Sequence, residues 1–202
     1  MEVFIELLVG LGLASCAGLR AWLPMLVVSL LAHHGYLELN PSFAFLGRQD
    51  ALVVFGTATV LEVLGDKFAV VDHCLDALGT VVRPAAGAVL VSATFVSLDP
   101  LVALCLGLSV GGATAFTVNA GKALARAKAT ALLPVHGGAG NAALSTLEDL
   151  TAAAGLALVA LAPWLAALVA LVLVAASAWM MVAFLRRGGR LLAWLRGRVD
   201  VS

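Results

Sequence analysis

The chain has 202 residues, twelve basic and twelve acidic side chains, no formal net charge and 62% hydrophobic residues, with a mean hydropathy of +1.07. A soluble domain of this size has too little interior for that much apolar surface, so lipid is expected to be part of the solvent. Neutral balance and the lack of a basic or aromatic stripe exclude a nucleic-acid partner, and the few polar connections leave no room for a separate extramembrane module.

With ~20 apolar residues needed to cross the hydrocarbon core, the apolar runs predict an all-α bundle of about six transmembrane helices near 3–32, 51–71, 82–98, 101–125, 142–161 and 164–185. The first run lacks the basic residues that precede a secretion signal and is read as a retained helix, with Pro24 as a kink. Asp99-Pro100 and Ala162-Pro163 mark tight turns. Cys16, Cys74 and Cys105 lie in apolar sequence without a Cys-x-x-Cys pair and read as buried structural thiols.

Residues 1–185 form one transmembrane domain, and 186–202, with Arg186, Arg187, Arg190, Arg196 and Arg198 among Leu191, Leu192, Trp194 and Leu195, form a basic amphipathic tail. The arginines of the tail, Lys122, Arg126 and Lys128 after span four, and Lys67 and Arg83 around the connection of spans two and three fall on one side of a six-span chain. By the positive-inside rule both termini are expected in the cytoplasm, with the protein in a bacterial inner membrane. Leu11-Gly12-Leu13-Ala14 echoes Leu106-Gly107-Leu108-Ser109, and Val60-Leu61-Glu62 echoes Thr146-Leu147-Glu148. Two three-helix repeats, 3–98 and 101–185, then enter from opposite sides as an inverted pair.

The polar side chains inside these runs carry the functional signal, because each intramembrane charge costs roughly 2.5–3.5 kcal/mol on insertion scales and faces protein or water. At about 100° per residue, a continuous helix would put Glu62, Asp66, His73 and Asp76 on one face. Glu148 and Asp149 are their counterparts in the second half, which makes Glu62, Asp66, Glu148 and Asp149 an expected ion-binding site near mid-membrane. Asp72, His73 and Asp76 extend a proton or ion path from it. Arg20, Lys67, Arg83, Asn119, Lys122 and Asn141 are expected charge partners and polar lining.

Three uses compete for this cluster. Carboxylates could carry a cation or protons, the same pairs could only lock the bundle, or His73 with Asp72 or Asp76 could act as a base on a lipid or quinone. The sequence has no nucleophile motif, metal-ligand spacing or phosphate loop, and the Gly137–Gly140 turn lacks the lysine and hydroxyl that a phosphate-binding loop needs. The expectation is a secondary transporter, not an enzyme, with no cofactor. Its partners would be membrane lipids, a small ion or polar solute and, through small residues on several spans, a second copy of the chain. His33-His34 and the tryptophans read as interfacial anchors.

The stretch Leu13-Ala14-Ser15-Cys16-Ala17-Gly18-Leu19-Arg20-Ala21-Trp22-Leu23-Pro24, the segment from Glu62 to Asp76, Arg83-Pro84, Asp99-Pro100, Gly140-Asn141 and Leu147-Glu148-Asp149 together resemble the bacterial membrane family catalogued as domain of unknown function 4126. The resemblance implies a small multi-span protein and no particular activity. Glu62-Val63-Leu64-Gly65-Asp66-Lys67 is also similar, with one extra residue and Phe68 in place of a hydroxyl, to the Glu-x-Gly-Asp-Lys/Arg-Ser/Thr motif of the cation exchangers catalogued as uncharacterised protein family 0016. That likeness implies paired acidic sites for a cation or protons.

Overall fold

The structure is a computed structural model that describes residues 1–66, 69–132 and 138–199, and the side chains of 1–66, 71, 74–127 and 145–186. The expected roles of Lys67, and of the side chains of Asp72, His73 and Asn141, lie outside the described residues. Among those described there are eight α-helices and no strand. Four helical stretches, Glu2–Leu19, Cys74–Thr94, Pro100–Ala127 and Pro163–Arg186, are long and apolar enough to cross a membrane. Their outer faces carry exposed Leu101, Leu108, Phe116, Leu168, Val172 and Trp179, an apolar surface suited to lipid rather than water.

The first apolar run is two helices, not one span. Helix α1, Glu2–Leu19, stops at Arg20, whose backbone is extended (φ −139°, ψ 116°), and α2, Trp22–His33, begins at once. Pro24 therefore kinks nothing. It sits in the first turn of α2, where an amide hydrogen would lack an intrahelical acceptor anyway. A 3-10 helix, Pro41–Gly47, leads to α3, Gln49–Gly65, and α4 comes next over Ala69–Thr94. Helix α5, Pro100–Leu106, passes through a π-helical turn, Gly107–Gly112, into α6, Ala113–Leu132. Helices α7, Gly138–Leu161, and α8, Pro163–Val199, complete the chain.

Contacts fix the sense of each pass. Leu7 packs with Phe95 and Leu98, and Gly10 lies against Val91 and Thr94, so α4 ends beside the start of α1. Asn40 joins that same end: its amide nitrogen donates to the carbonyls of Phe95 and Leu98 at 2.8 and 3.0 Å, and its backbone nitrogen donates to that of Ala93 at 2.9 Å. Since α2 starts against Glu62 and ends with His33 beside Gly47, it returns to the end from which α1 set out. Helix α6 runs parallel to α1, with Gly18 against Ala115 and Val118, whereas α7 runs back, with Gly155 against Cys16 and Gly12 against Val159. Helix α8 repeats the sense of α1, with Ala166 by Gly12 and Ser177 by Gly121.

This fold-back changes two expectations. The count that put both termini on one side depended on a single first span, and the described helices instead make seven passes, counting α5 to α6 as one, with α1 starting at one end and α8 finishing at the other. The inverted repeat also fails, because inversion needs both echoed pairs to run in opposite senses. Helices α1 and α6 run the same way, while α3 and α7 run oppositely. The echoes reflect a composition dominated by Leu, Ala and Gly.

Close backbone approach holds the centre together, in keeping with packing by small residues where lipid supplies no hydrophobic drive. A Cβ on Gly87 of α4 would stand 2.7 Å from the Gly111 carbonyl oxygen and 2.6 Å from the Ala115 Cβ. Gly65 ends α3 where a Cβ would meet Leu75 and Val71 of the next helix at 2.6 and 2.9 Å, so α4 can fold back directly. Cys16 is buried as expected, but Cys74 and Cys105 are exposed.

Candidate functional site: a charged network at a helix break

The polar side chains gather where α1 gives way to α2. The 18-residue α1 is about 27 Å long at 1.5 Å per residue. Its end therefore lies most of a hydrocarbon thickness of about 30 Å from its start, and the cluster sits toward one end of the bundle rather than midway.

Each open end of the broken helix is met by a charged side chain from elsewhere. The Glu62 carboxylate, near the end of α3, accepts from the backbone N–H groups of Ala21 and Trp22, both at 3.3 Å, one on each oxygen. It thereby supplies the negative charge that a helix N-terminus favours. Lys122 of α6 donates from Nζ to the Leu19 carbonyl oxygen at 3.2 Å, placing positive charge at the C-terminus of α1. Arg20, at the break itself, has no solvent exposure. It donates to Asp66, to the Ser145 carbonyl at 3.2 Å and to Ser145 Oγ at 2.9 Å, and its Nε stands 2.8 Å from Asp149 Oδ1.

A second layer joins these pairs. Arg83 of α4 donates to Asn119 Oδ1 and, at 3.2 Å, to Asp76, and its NH2 lies 4.0 Å from Glu62. Lys122 is 2.9 Å from Glu148, and Arg126 holds Glu148 with two bonds of 2.8 Å and Asp76 with one of 3.0 Å. Asp76, 36% exposed at its side chain, is the point where α4 and α6 meet through Arg83, Lys122 and Arg126. Gly79 makes room for this arrangement, since a Cβ there would come within 2.8 Å of the Arg83 guanidinium carbon.

The expected residues thus converge, but not as expected. The helix ends after Gly65, so Glu62 and Asp66 belong to α3 and Asp76 to α4, and no single helical face carries them. Glu62 and Glu148 do not share a site: the first rests on the α2 amides, the second on Lys122 and Arg126, and only Asp76 and its cations connect them. Arg126 and Ser145 were missed, the former because it counted only as loop charge. Helical spacing could have found both, since Arg126 is four residues past Lys122 and seven past Asn119, and Ser145 four before Asp149. His33 and His34 each bond a backbone carbonyl at 2.9 Å through Nδ1. Among the described residues no group of three His, Cys, Asp or Glu is placed to hold a metal.

A match over residues 7–183 covers nearly all of this framework, from the first turns of α1 to the exposed part of α8. The chain belongs to the family described as Domain of unknown function (DUF4126). No curated protein and no solved structure matches it. Membership ties the break, the two charged caps and the second layer to one domain, since Arg20, Glu62, Asp76, Lys122 and Asp149 all fall within the matched range.

Proposed function

We propose that this member of the DUF4126 family is a proton-coupled secondary transporter, a carrier rather than an enzyme, whose working part is the α1–α2 break. The observation that carries the reading is the pair of charged caps: Glu62 on the start of α2 and Lys122 on the end of α1, each from a different helix. Unwound backbone at membrane depth needs partners for its amides and carbonyls, and discontinuous helices with charged groups at their ends are how many transporters build a site. A proton added to Glu62 removes the charge facing α2, which gives such a site a chemical trigger. The protein is placed in a bacterial inner membrane, with the arginines of the C-terminal segment on the cytoplasmic side and α1 starting on the other.

Exchange of a cation at the same carboxylates is the second reading. Five carboxylates, Glu62, Asp66, Asp76, Glu148 and Asp149, face four cations, Arg20, Arg83, Lys122 and Arg126, among the described side chains. To test the proposal, the protein is reconstituted in liposomes holding a pH-sensitive dye, and proton movement is recorded as solutes are added outside. Solute-dependent acidification that Glu62→Gln abolishes supports the carrier. Equal proton leak with and without every solute, in both proteins, removes it.

A further inference from the structure

The carboxylate of Glu62 sits where a bound anion would sit. Its two oxygens take one backbone N–H each from Ala21 and Trp22, at the head of a 12-residue helix whose amides and dipole favour negative charge. The guanidinium of Arg83 approaches it only to 4.0 Å, beyond hydrogen-bond distance. Arg83 is itself 2% exposed, and its Nε–H, buried beside Gly79, has no hydrogen-bond partner. A buried guanidinium with an unused donor is costly, and it stands next to a helix N-terminus occupied by the protein's own side chain.

We propose that the N-terminus of α2, with Arg83, is a binding site for an oxyanion of carboxylate or phosphate type, and that Glu62 occupies it in place of that anion. When Glu62 takes a proton from water, its charge is lost and it gives up the amides. The anion then restores the same negative charge at the same amides, and the network keeps its overall balance. The groups around Glu62 are Arg20 at the break, Asp66 on its own helix, Asp76 and Arg83 on α4, Lys122 and Arg126 on α6, and Glu148 and Asp149 on α7. Their direct pairings to one another leave Glu62 as the carboxylate held by backbone amides, so its protonation frees donors without stranding a directly bonded cation. The inference names a cargo for the carrier proposed above and rests on that reading only for the steps after binding.

The test is titration calorimetry on the full chain in neutral detergent, with acetate, inorganic phosphate and micelles doped with phosphatidic acid as probes, and sodium and choline as cationic controls. Repeating each titration in buffers of different ionisation enthalpy counts the protons taken up. For the wild type, affinity for the anion rises about tenfold per unit fall in pH where Glu62 is ionised, with one proton bound per anion. Glu62→Gln is expected to bind the same probe at a pH-independent affinity equal to or above that of the wild type at low pH, with no proton uptake. Arg83→Lys keeps the charge but lacks Nε and weakens binding at least tenfold, with its folding checked by thermal unfolding. Binding of phosphatidic acid alone identifies a lipid headgroup as the source, and binding of the soluble probes a free solute. Binding of no anion by either wild type or Glu62→Gln, or saturable binding of the cations alone, overturns the inference even if proton flux is found. Anion binding without flux upholds it and removes the carrier.

Discussion

Arg20→Met isolates the contribution of the break to stability. The guanidinium has no exposure and serves Asp66, Ser145 and Asp149 together, so methionine fills the space but withdraws a positive charge from two carboxylates. Losing one partner of a buried ion pair costs about 3–5 kcal/mol, and for a chain of this length each kcal/mol lowers the melting temperature by about 2–4 °C. The expected fall is therefore about 6–20 °C. Cys16, 4% exposed, supplies the assay: with Cys74 and Cys105 changed to serine, a thiol-reactive fluorophore reports only unfolding. The triple variant Arg20→Met, Asp66→Asn, Asp149→Asn should recover more than half of the loss, because neutral amides in lipid-facing protein are far cheaper than unpaired charge. A melting temperature unchanged by Arg20→Met, or a triple variant no better than the single one, would refute the argument.

Gly87→Ala brings a methyl group against the Gly111 carbonyl oxygen and Ala115 Cβ, backbone and near-backbone atoms that cannot turn away. A loss of about 1–3 kcal/mol is expected in the same thermal assay. Asn40→Ala strips the carbonyls of Phe95 and Leu98 of their donor and should cost about 1–3 kcal/mol, with faster amide exchange confined to the segment from Asn40 to Gly47 and the end of α4. Arg48→Ala is the contrast: its pair with Asp50 is more than half exposed on both sides, and no change in melting temperature is expected.

Hydropathy alone revealed that the chain is helical and suited to lipid, because apolar run length is a sum over many residues and survives local error. It concealed the fold-back at Arg20, since one charged residue hardly alters the mean of a thirty-residue run. Arg20 and, after Ala21-Trp22-Leu23, the proline at position 24 were the local signal for a new helix start. Topology suffered most from that omission, as one extra pass reverses the side assigned to everything before it. Cost of burial correctly flagged Arg20, Glu62, Asp66, Arg83, Asn119, Lys122, Glu148 and Asp149 as inward-facing groups. Pairing was not legible, because it depends on the break after Gly65 and on how deep α6 carries Lys122 and Arg126, and neither is a property of one segment.

The π-helical turn at Gly107–Gly112 has a consequence for how that pairing is possible at all. A π turn accommodates one residue more than an α turn, so it shifts the phase of everything after it by about 100° without ending the helix. Upstream of it Ala103 packs with Ala14, and downstream Asn119, Lys122 and Arg126 reach Arg83, Leu19 and Glu148. The apolar half and the charged half of this one pass are thus set in phase independently. Removing a single residue from the turn would leave the first half seated and swing all three polar side chains off the network together.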